Sequence, residues 1–428
     1  MKARNTKIYR AGAVRDARGC DARPGVVAVA DSRVLYAGPE RDLPRGLRDG
    51  ASVVDRTAEL LMPALVNAHA HLDLTDLDRR PYDRERGDFT NWLRGVIDDR
   101  PQTPDAITDA VHHGLRLSRE AGVGWLGDVG GSVDAIYARR QAPAGLRLPG
   151  VSYLECFGLG NTGKEVARQV DQALDPLDFE VKVAGWPRGA VLGVGPHAPY
   201  SVGKPLYQAL AGLSQRRIYR LCTHLAESAE ELEFVRDAAG PMAELLRELG
   251  KWSDAVRPTG MHPVKLLAPA LRRGRWTVVH CNYVEDEHIE ILERSGASVV
   301  YCPVASDYFG FPREGKHRYR DMLEAGVNVC LGTDSILCQP AEEKQPLGIL
   351  PQMRYLYRRD GIAPDELLAM ATTHGLQALD FDDRDATLQP RGAAAFTAVP
   401  IDVEDETDPL VQALDGDAPA TLIVAADR

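Results

Sequence analysis

Apolar and polar positions follow two textures along this chain. In residues 1–59, short β-like pieces (Lys7–Tyr9, Val26–Val29, Val34–Ala37 and Ser52–Val54) are separated by Gly, Pro, Asp and Arg. That is a strand-and-turn pattern, not a helical one. From Leu61 the texture changes. Apolar runs recur at Leu61–Val66, Val123–Asp128, Val151–Phe157, Val191–Gly195, Ile218–Thr223, Thr277–His280, Ser298–Cys302 and Val327–Gly332, each followed by a longer segment of helical periodicity. Near-continuous apolar strands alternating with helices predict a parallel sheet covered on both faces. Eight such units predict an α/β fold, a (β/α)8 TIM-type barrel.

The intervening segments agree. Pro104–Ala121 and Glu285–Arg294 read as amphipathic helices with an acidic start and a basic end. Asp365–Leu379 reads as one further helix opening behind Pro364. After about residue 385 the β texture returns, with strands expected at Ala393–Val399 and Ala420–Ala425 and a solvated acidic loop at Asp402–Asp408. Two terminal pieces of like character predict one small β-sandwich domain built from residues 1–59 and 385–428, flanking a barrel of residues 60–384.

Composition narrows the class without changing the picture. Apolar residues at 44% and charged ones at 26% describe an ordinary globular protein. A net charge of -11 argues against nucleic acid and anionic membrane as partners; it leaves the chemistry of a small-molecule substrate open, because a local pocket can oppose the global sign. No run approaches the roughly 18 apolar residues of a membrane span, and the start of the chain lacks a signal-peptide core. Seven scattered cysteines without CxxC spacing predict reduced, buried thiols in a cytoplasmic protein.

In barrels of this kind the chemistry gathers at the C-terminal ends of the strands. There the sequence places His69 and His71, Asp128, Glu155, His197, His224 with Glu227, His280, Cys302 and Asp334. Five of the eleven histidines fall at these strand ends. His69 and His71, two apart on an extended strand, point to one side and suit a divalent metal.

HAH after the first run, HLAE after the fifth, HC after the sixth and GTDS after the eighth resemble the amidohydrolase superfamily, in its deaminase and chlorohydrolase branch. The resemblance runs from about Leu61 to Leu379. It implies His69, His71, His224 and Asp334 as ligands of one divalent metal, Zn2+ or alternatively Fe2+. His197 stands where binuclear relatives carry a carboxylated lysine, which favours a single ion. It implies Glu227, on the first helical turn after the fifth strand, as proton carrier and substrate contact. It implies His280 as the group orienting water or oxyanion, and Asp334 as a second proton acceptor. His197 is either a substrate contact or a structural histidine, and Tyr200 and Ser201 either line the site or cap the next helix. Trp92 is expected to wall the pocket. Asn91 stands where several relatives carry a substrate-binding glutamate. The remaining histidines are expected on the surface or on helices, with His317 the one able to reach a ligand. Fold analogy adds a homodimer.

Three reactions fit. The first is hydrolytic deamination of an aminated purine-type ring. Within it the segment from HLAESAEELEF to LGTDS looks most like aminodeoxyfutalosine deaminases of the menaquinone route, then S-adenosylhomocysteine or methylthioadenosine deaminases, then guanine or cytosine deaminases. The second is dehalogenation or amide hydrolysis. The third is a scaffold without catalysis. An intact HxxE favours the first, because an amine leaving group needs a proton and chloride does not.

Overall fold

The structure is a computed structural model that describes residues 6–79, 81–84, 87–184 and 190–424. Its strands, in chain order, are β1 (Lys7–Arg15), β2 (Asp21–Ala22), β3 (Gly25–Ala30), β4 (Arg33–Pro39), β5 (Ser52–Pro63), β6 (Leu65–Ala70), β7 (Val123–Gly130), β8 (Gly150–Cys156), β9 (Ala190–Pro196), β10 (Arg220–Leu225), β11 (Trp276–His280), β12 (Ser298–Tyr301), β13 (Val329–Leu331), β14 (Ala395–Pro400) and β15 (Thr421–Val424). Strands β6 to β13 form one eight-stranded sheet in sequence order, every pair parallel, with helices in the connections. This is the expected barrel. The two ends of the chain combine in a second, mixed sheet of order β15-β14-β5-β1-β3-β4, with β2 added on β1.

The apolar runs are continuous because both faces of the barrel strands are buried. Val278, Val299, Val329 and Leu331 join the cluster shared with the helices, while their neighbours Val279, Val300 and Cys330 join the inner one with Val66, Tyr153 and Cys222. Adjacent residues thus serve opposite faces, as the period-two pleat requires.

Element ends differ from expectation where the backbone finds another partner. The run Leu61–Val66 is divided. Leu61–Pro63 end β5 against β14, and Ala64 donates its N–H to Ala395 O before β6 starts at Leu65. Pro63 has no N–H with which to continue a ladder. Ile218 is no strand residue. It caps the helix Lys204–Arg217 in the left-handed region at φ 61°, donating to Ser214 O, and β10 begins at Arg220. The single helix expected over Asp365–Leu379 is two, Pro364–Met370 and Thr373–Ala378. Ala371 O turns aside to accept from Val66 N–H (2.9 Å), and the Thr372 hydroxyl bonds back to Leu368 O. Ala425 lies outside the described residues. Asp402–Asp408 is exposed, as expected of a solvated loop. Among the described residues no helix is long and apolar enough to cross a membrane.

The seam between the first and last barrel strands is closed by few bonds. His69 O accepts the N–H groups of both Thr333 and Asp334 (3.1 Å each). Buried Asn67 donates Nδ2–H to Thr333 Oγ1 (2.8 Å) and accepts Thr333 N–H at Oδ1 (3.2 Å). Gly332 allows this approach, since a Cβ there would fall 2.7 Å from Val300 Cγ1 and 3.0 Å from His69 Cβ. Asn67→Ala is expected to remove the side-chain acceptor shared by the His69 and Thr333 N–H groups and to lower unfolding free energy by about 1–3 kcal/mol. Denaturant titration checks it; an unchanged midpoint would show that the seam does not depend on this pair.

Candidate active site

The barrel's C-terminal rim collects the strand-end histidines, but not by simple alternation. Val66 and Ala68 pack inside, so strict pleating would turn His69 out with Leu65. The β6–β7 register breaks between Asn67 and Ala70, the kind of irregularity that re-aims a side chain beside a site. His71 follows just past the end of β6 with φ -120° and ψ 89°. His280 shares parity with outward Val278, yet takes φ 74°, followed by Cys281 at 52°. Asp334 takes φ 61° and Ala226 φ 50°. Non-glycine residues in the left-handed region cost on the order of 1–3 kcal/mol each, and such strain gathers at functional sites.

The outcome is a compact constellation of His69, His71, His224, His280, Glu227 and Asp334, all buried. His69 Nε2 and His71 Nε2 lie 3.7 and 3.6 Å from Asp334 Oδ1, and His71 Nε2 lies 3.3 Å from His224 Nε2. Four ligands at about 2.0–2.1 Å from a tetrahedral ion would stand about 3.3 Å apart. Both ring nitrogens of His69 and Nδ1 of His71 have no hydrogen-bond partner. His224 donates Nδ1–H to His197 O (3.0 Å), which leaves the Nε2 lone pair facing the others. Burial, reinforced by neighbouring imidazoles, pushes His224 well below the usual histidine range and lowers His71 too. Burial would raise the Asp334 carboxyl, but His69, His280 and His71 more than offset it and hold it below the usual range. Neutral imidazoles around an ionised carboxylate, with buried nitrogens unpartnered, fit a divalent cation.

Glu227 does not lie on a helical turn. The helix is Ala229–Asp237, capped by Ser228, and Glu227 stands in the connection before it. Glu231 holds that connection by accepting the N–H groups of Ala226 and Glu227 (2.9 Å each), while Asn282 Nδ2 donates to Glu227 O (2.9 Å). The Glu227 side chain reaches to 3.6 Å between Oε1 and His280 Nε2. Burial first, then Asp334 and the neighbouring glutamates, raise its pKa well above the usual carboxyl range. Burial lowers His280 to about 3. His317, expected nearer a ligand or on the surface, is buried and donates Nε2–H to His280 O (2.8 Å), supporting the left-handed turn.

Other expected residues are placed differently. Ser201 does not cap the helix Lys204–Arg217, whose N-cap is Gly203; its Oγ lies 2.8 Å from His197 Nδ1. Trp92 is half-buried, packs edge-on to Phe309 at 4.8 Å, and donates Nε1–H to Tyr308 OH (3.2 Å). Asn91 is exposed, with its backbone N–H taken by Asp88. Asp128 and Glu155 are buried at their strand ends. Two open pockets of about 950 and 1190 Å3 are lined by none of the six clustered residues.

The family model for amidohydrolases matches residues 60–426. This chain belongs to the amidohydrolase family. Among its relatives, a 5-methylthioadenosine/S-adenosylhomocysteine deaminase of Symbiobacterium thermophilum is 28% identical over 317 residues, covering 72% of this chain and 64% of the relative. The match thus spans under two thirds of that relative's length. An aminodeoxyfutalosine deaminase of Deinococcus radiodurans is 27% identical over 327 residues, covering 73% of this chain and 72% of its own. The Helicobacter pylori aminofutalosine deaminase structure superposes with a TM-score of 0.77 at 19% identity, covering 97% of each chain, which establishes the common fold.

Glu231 carries no strand-end signal, and only the fold shows that it holds the connection bearing Glu227. Glu231→Ala is expected to leave two buried N–H groups unpaired and lower stability by about 1–3 kcal/mol. Thermal unfolding of the two proteins checks this; an equal melting temperature would mean that water replaces the carboxylate.

Proposed function

We propose that this chain is a metal-dependent hydrolytic deaminase of 6-aminopurine nucleosides. Aminodeoxyfutalosine, of the menaquinone route, is the leading candidate substrate, and methylthioadenosine or S-adenosylhomocysteine the next. The observation that carries this reading is Glu227, a buried carboxyl with a raised pKa, 3.6 Å from His280, beside a cluster fit for a cation. The deaminase names of the relatives support it.

On this reading His69, His71, His224 and Asp334 hold one divalent ion, Zn2+, whose preference for nitrogen and oxygen donors in fourfold coordination suits the set. Once bound, that ion supplies Lewis-acid activation of water. The chain's own residues manage the protons. Hydrolysis forms a C–O bond at C6 and breaks the C6–N bond, with the displaced amino group leaving as ammonia. Glu227 takes a proton from the attacking water, gives it to the adjacent ring nitrogen, and then serves the amino group. A carboxyl whose pKa is raised toward the working pH suits both halves of that exchange. His280, kept neutral by burial, orients the water, and Asp334 remains ionised as a further proton acceptor. The aromatic group of Trp92, Tyr308 and Phe309 walls the substrate. Seven free cysteines, six of them buried, support a reducing, cytoplasmic setting.

Purified protein is expected to carry about one equivalent of zinc, and His69→Ala to lose most of it, by elemental analysis. Glu227→Gln is expected to keep the metal while kcat for ammonia release falls about 10²–10⁴-fold. Retention of most turnover would remove Glu227 from the proton path. Chloride release from chlorotriazines without ammonia release from adenosine-type nucleosides would replace the deaminase by a dehalogenase.

A further inference from the structure

A second buried charge constellation, outside the cation cluster, has no role in the chemistry above. Asp73, Arg100 and Glu155 come from three separate segments. Asp73 Oδ2 accepts Gly131 N–H (3.0 Å) and Arg100 Nη2–H (3.0 Å), and Arg100 Nη1 donates to Glu155 Oε2 (3.2 Å). Gly131 makes room for the guanidinium, because a Cβ there would lie 2.0 Å from Arg100 Nη2. The Arg100 guanidinium, lying between the two buried carboxylates, pairs directly with each of them. Glu155 is therefore a fixed anion with one oxygen, Oε2, committed to Arg100.

Its other oxygen, Oε1, lies 3.9 Å from His197 Nε2, beyond hydrogen-bond reach. The imidazole is fixed as well. Ser201 Oγ donates to Ala198 O (3.1 Å), so it receives His197 Nδ1–H (2.8 Å). Nδ1 is thus the ring's donor, and Nε2, which makes no bond to the neighbouring carboxylate, is left as its acceptor. An anionic oxygen and a nitrogen lone pair thus stand side by side as acceptors. The His197 side chain is 19% accessible, and the exposed ring of Phe157 covers it at 5.0 Å. Two adjacent acceptors call for a ligand with two adjacent donors. Two vicinal hydroxyls, one on each acceptor at ~2.7–2.8 Å, supply that. Glu155, His197 and His224 also lie close enough to ring a cation. However, Arg100 already occupies Glu155 Oε2, and His224 spends Nδ1 on His197 O.

We propose that Glu155, with His197 beside it, is the specificity-determining acceptor of the substrate's vicinal sugar hydroxyls. This rests on the nucleoside reading above. It also accounts for the exposed placement of Asn91, which leaves the sugar contact to another carboxylate.

The test separates the two readings by using ligands that are not turned over. Metal-loaded wild type and Glu155→Gln are titrated calorimetrically, to millimolar concentration, with inosine and with 2′,3′-dideoxyinosine. Wild type is expected to bind inosine at least tenfold more tightly, and Glu155→Gln to bind the two within about threefold, at unchanged metal content. A site built to bond hydroxyls rejects the analogue that lacks them. Glu155→Asp, which keeps the charge but withdraws it from His197, is expected to lose the same discrimination and serves if Glu155→Gln does not fold. Equal or undetectable binding of both ligands by wild type, or full discrimination in the variants, overturns the proposal. So does a wild-type content of two metal equivalents that Glu155→Gln reduces to one, which would make this a cation site. Ammonia release from adenosine-type nucleosides, aminodeoxyfutalosine and methylthioadenosine included, is measured separately. Its absence beside intact hydroxyl discrimination overturns the deaminase reading alone, and its presence without discrimination overturns this inference alone.

Discussion

The closure of the barrel between β6 and β13 is the constraint on which the site depends. His69 and Asp334 are 265 positions apart in sequence, and what joins them is one carbonyl: His69 O receives the N–H groups of Thr333 and Asp334. The residue expected to bind the cation through its ring thus also sets, through its backbone, the position of the carboxylate opposite. Asn67 and Thr333 brace that join, and Gly332 leaves the space for it. Loosening of the seam would therefore move a ligand pair and weaken the barrel together.

The site is also held against its own tendencies. Four left-handed residues at three strand ends, Ala226, His280, Cys281 and Asp334, are unfavourable alone. They persist because bonds fix them on both sides. Cys281 N–H reaches Leu225 O, Tyr283 N–H reaches Ala226 O, and His317 holds His280 O. Unpartnered ring nitrogens of His69 and His71 add a further penalty, since a buried polar group without a partner costs about 1–3 kcal/mol. A cation would relieve that penalty, so its binding and the stability of the rim are linked in sign.

Much of this was legible in the sequence because burial on both faces writes strands as unbroken apolar runs, and because chemistry gathers where those runs stop. His69, His71, His224, Glu227, His280 and Asp334 were found that way and come together in space. What periodicity could not show was orientation: His69 is turned by a register break and His280 by a left-handed backbone, and neither leaves a mark in the pattern. Nor could it show the supporting residues. Glu231, Asn282, His317 and Arg100 lie on helices or loops, and their partners are chosen by the fold. The helix read across residues 365–379 breaks because Ala371 O is claimed by β6, a contact with no local signal.

Two of the three glutamates in the HLAESAEEL segment, Glu227 and Glu231, show why position within a buried pocket, and not residue type, decides chemistry. Both are fully buried and both have raised pKa values, Glu231 to about 8. Glu231 is restrained from rising further by the two backbone N–H groups it accepts, which favour its charged form. Glu227 instead faces the negative charge of Asp334, Glu231 and Glu230, and its carboxyl reaches to 3.6 Å from His280 Nε2. A carboxylate whose two oxygens both accept backbone N–H groups is committed to the frame, while one that faces the other polar groups of the site stays available for protons. That difference, four residues apart in the chain, agrees with the proton-carrying role proposed for Glu227 and leaves Glu231 to hold its connection in place.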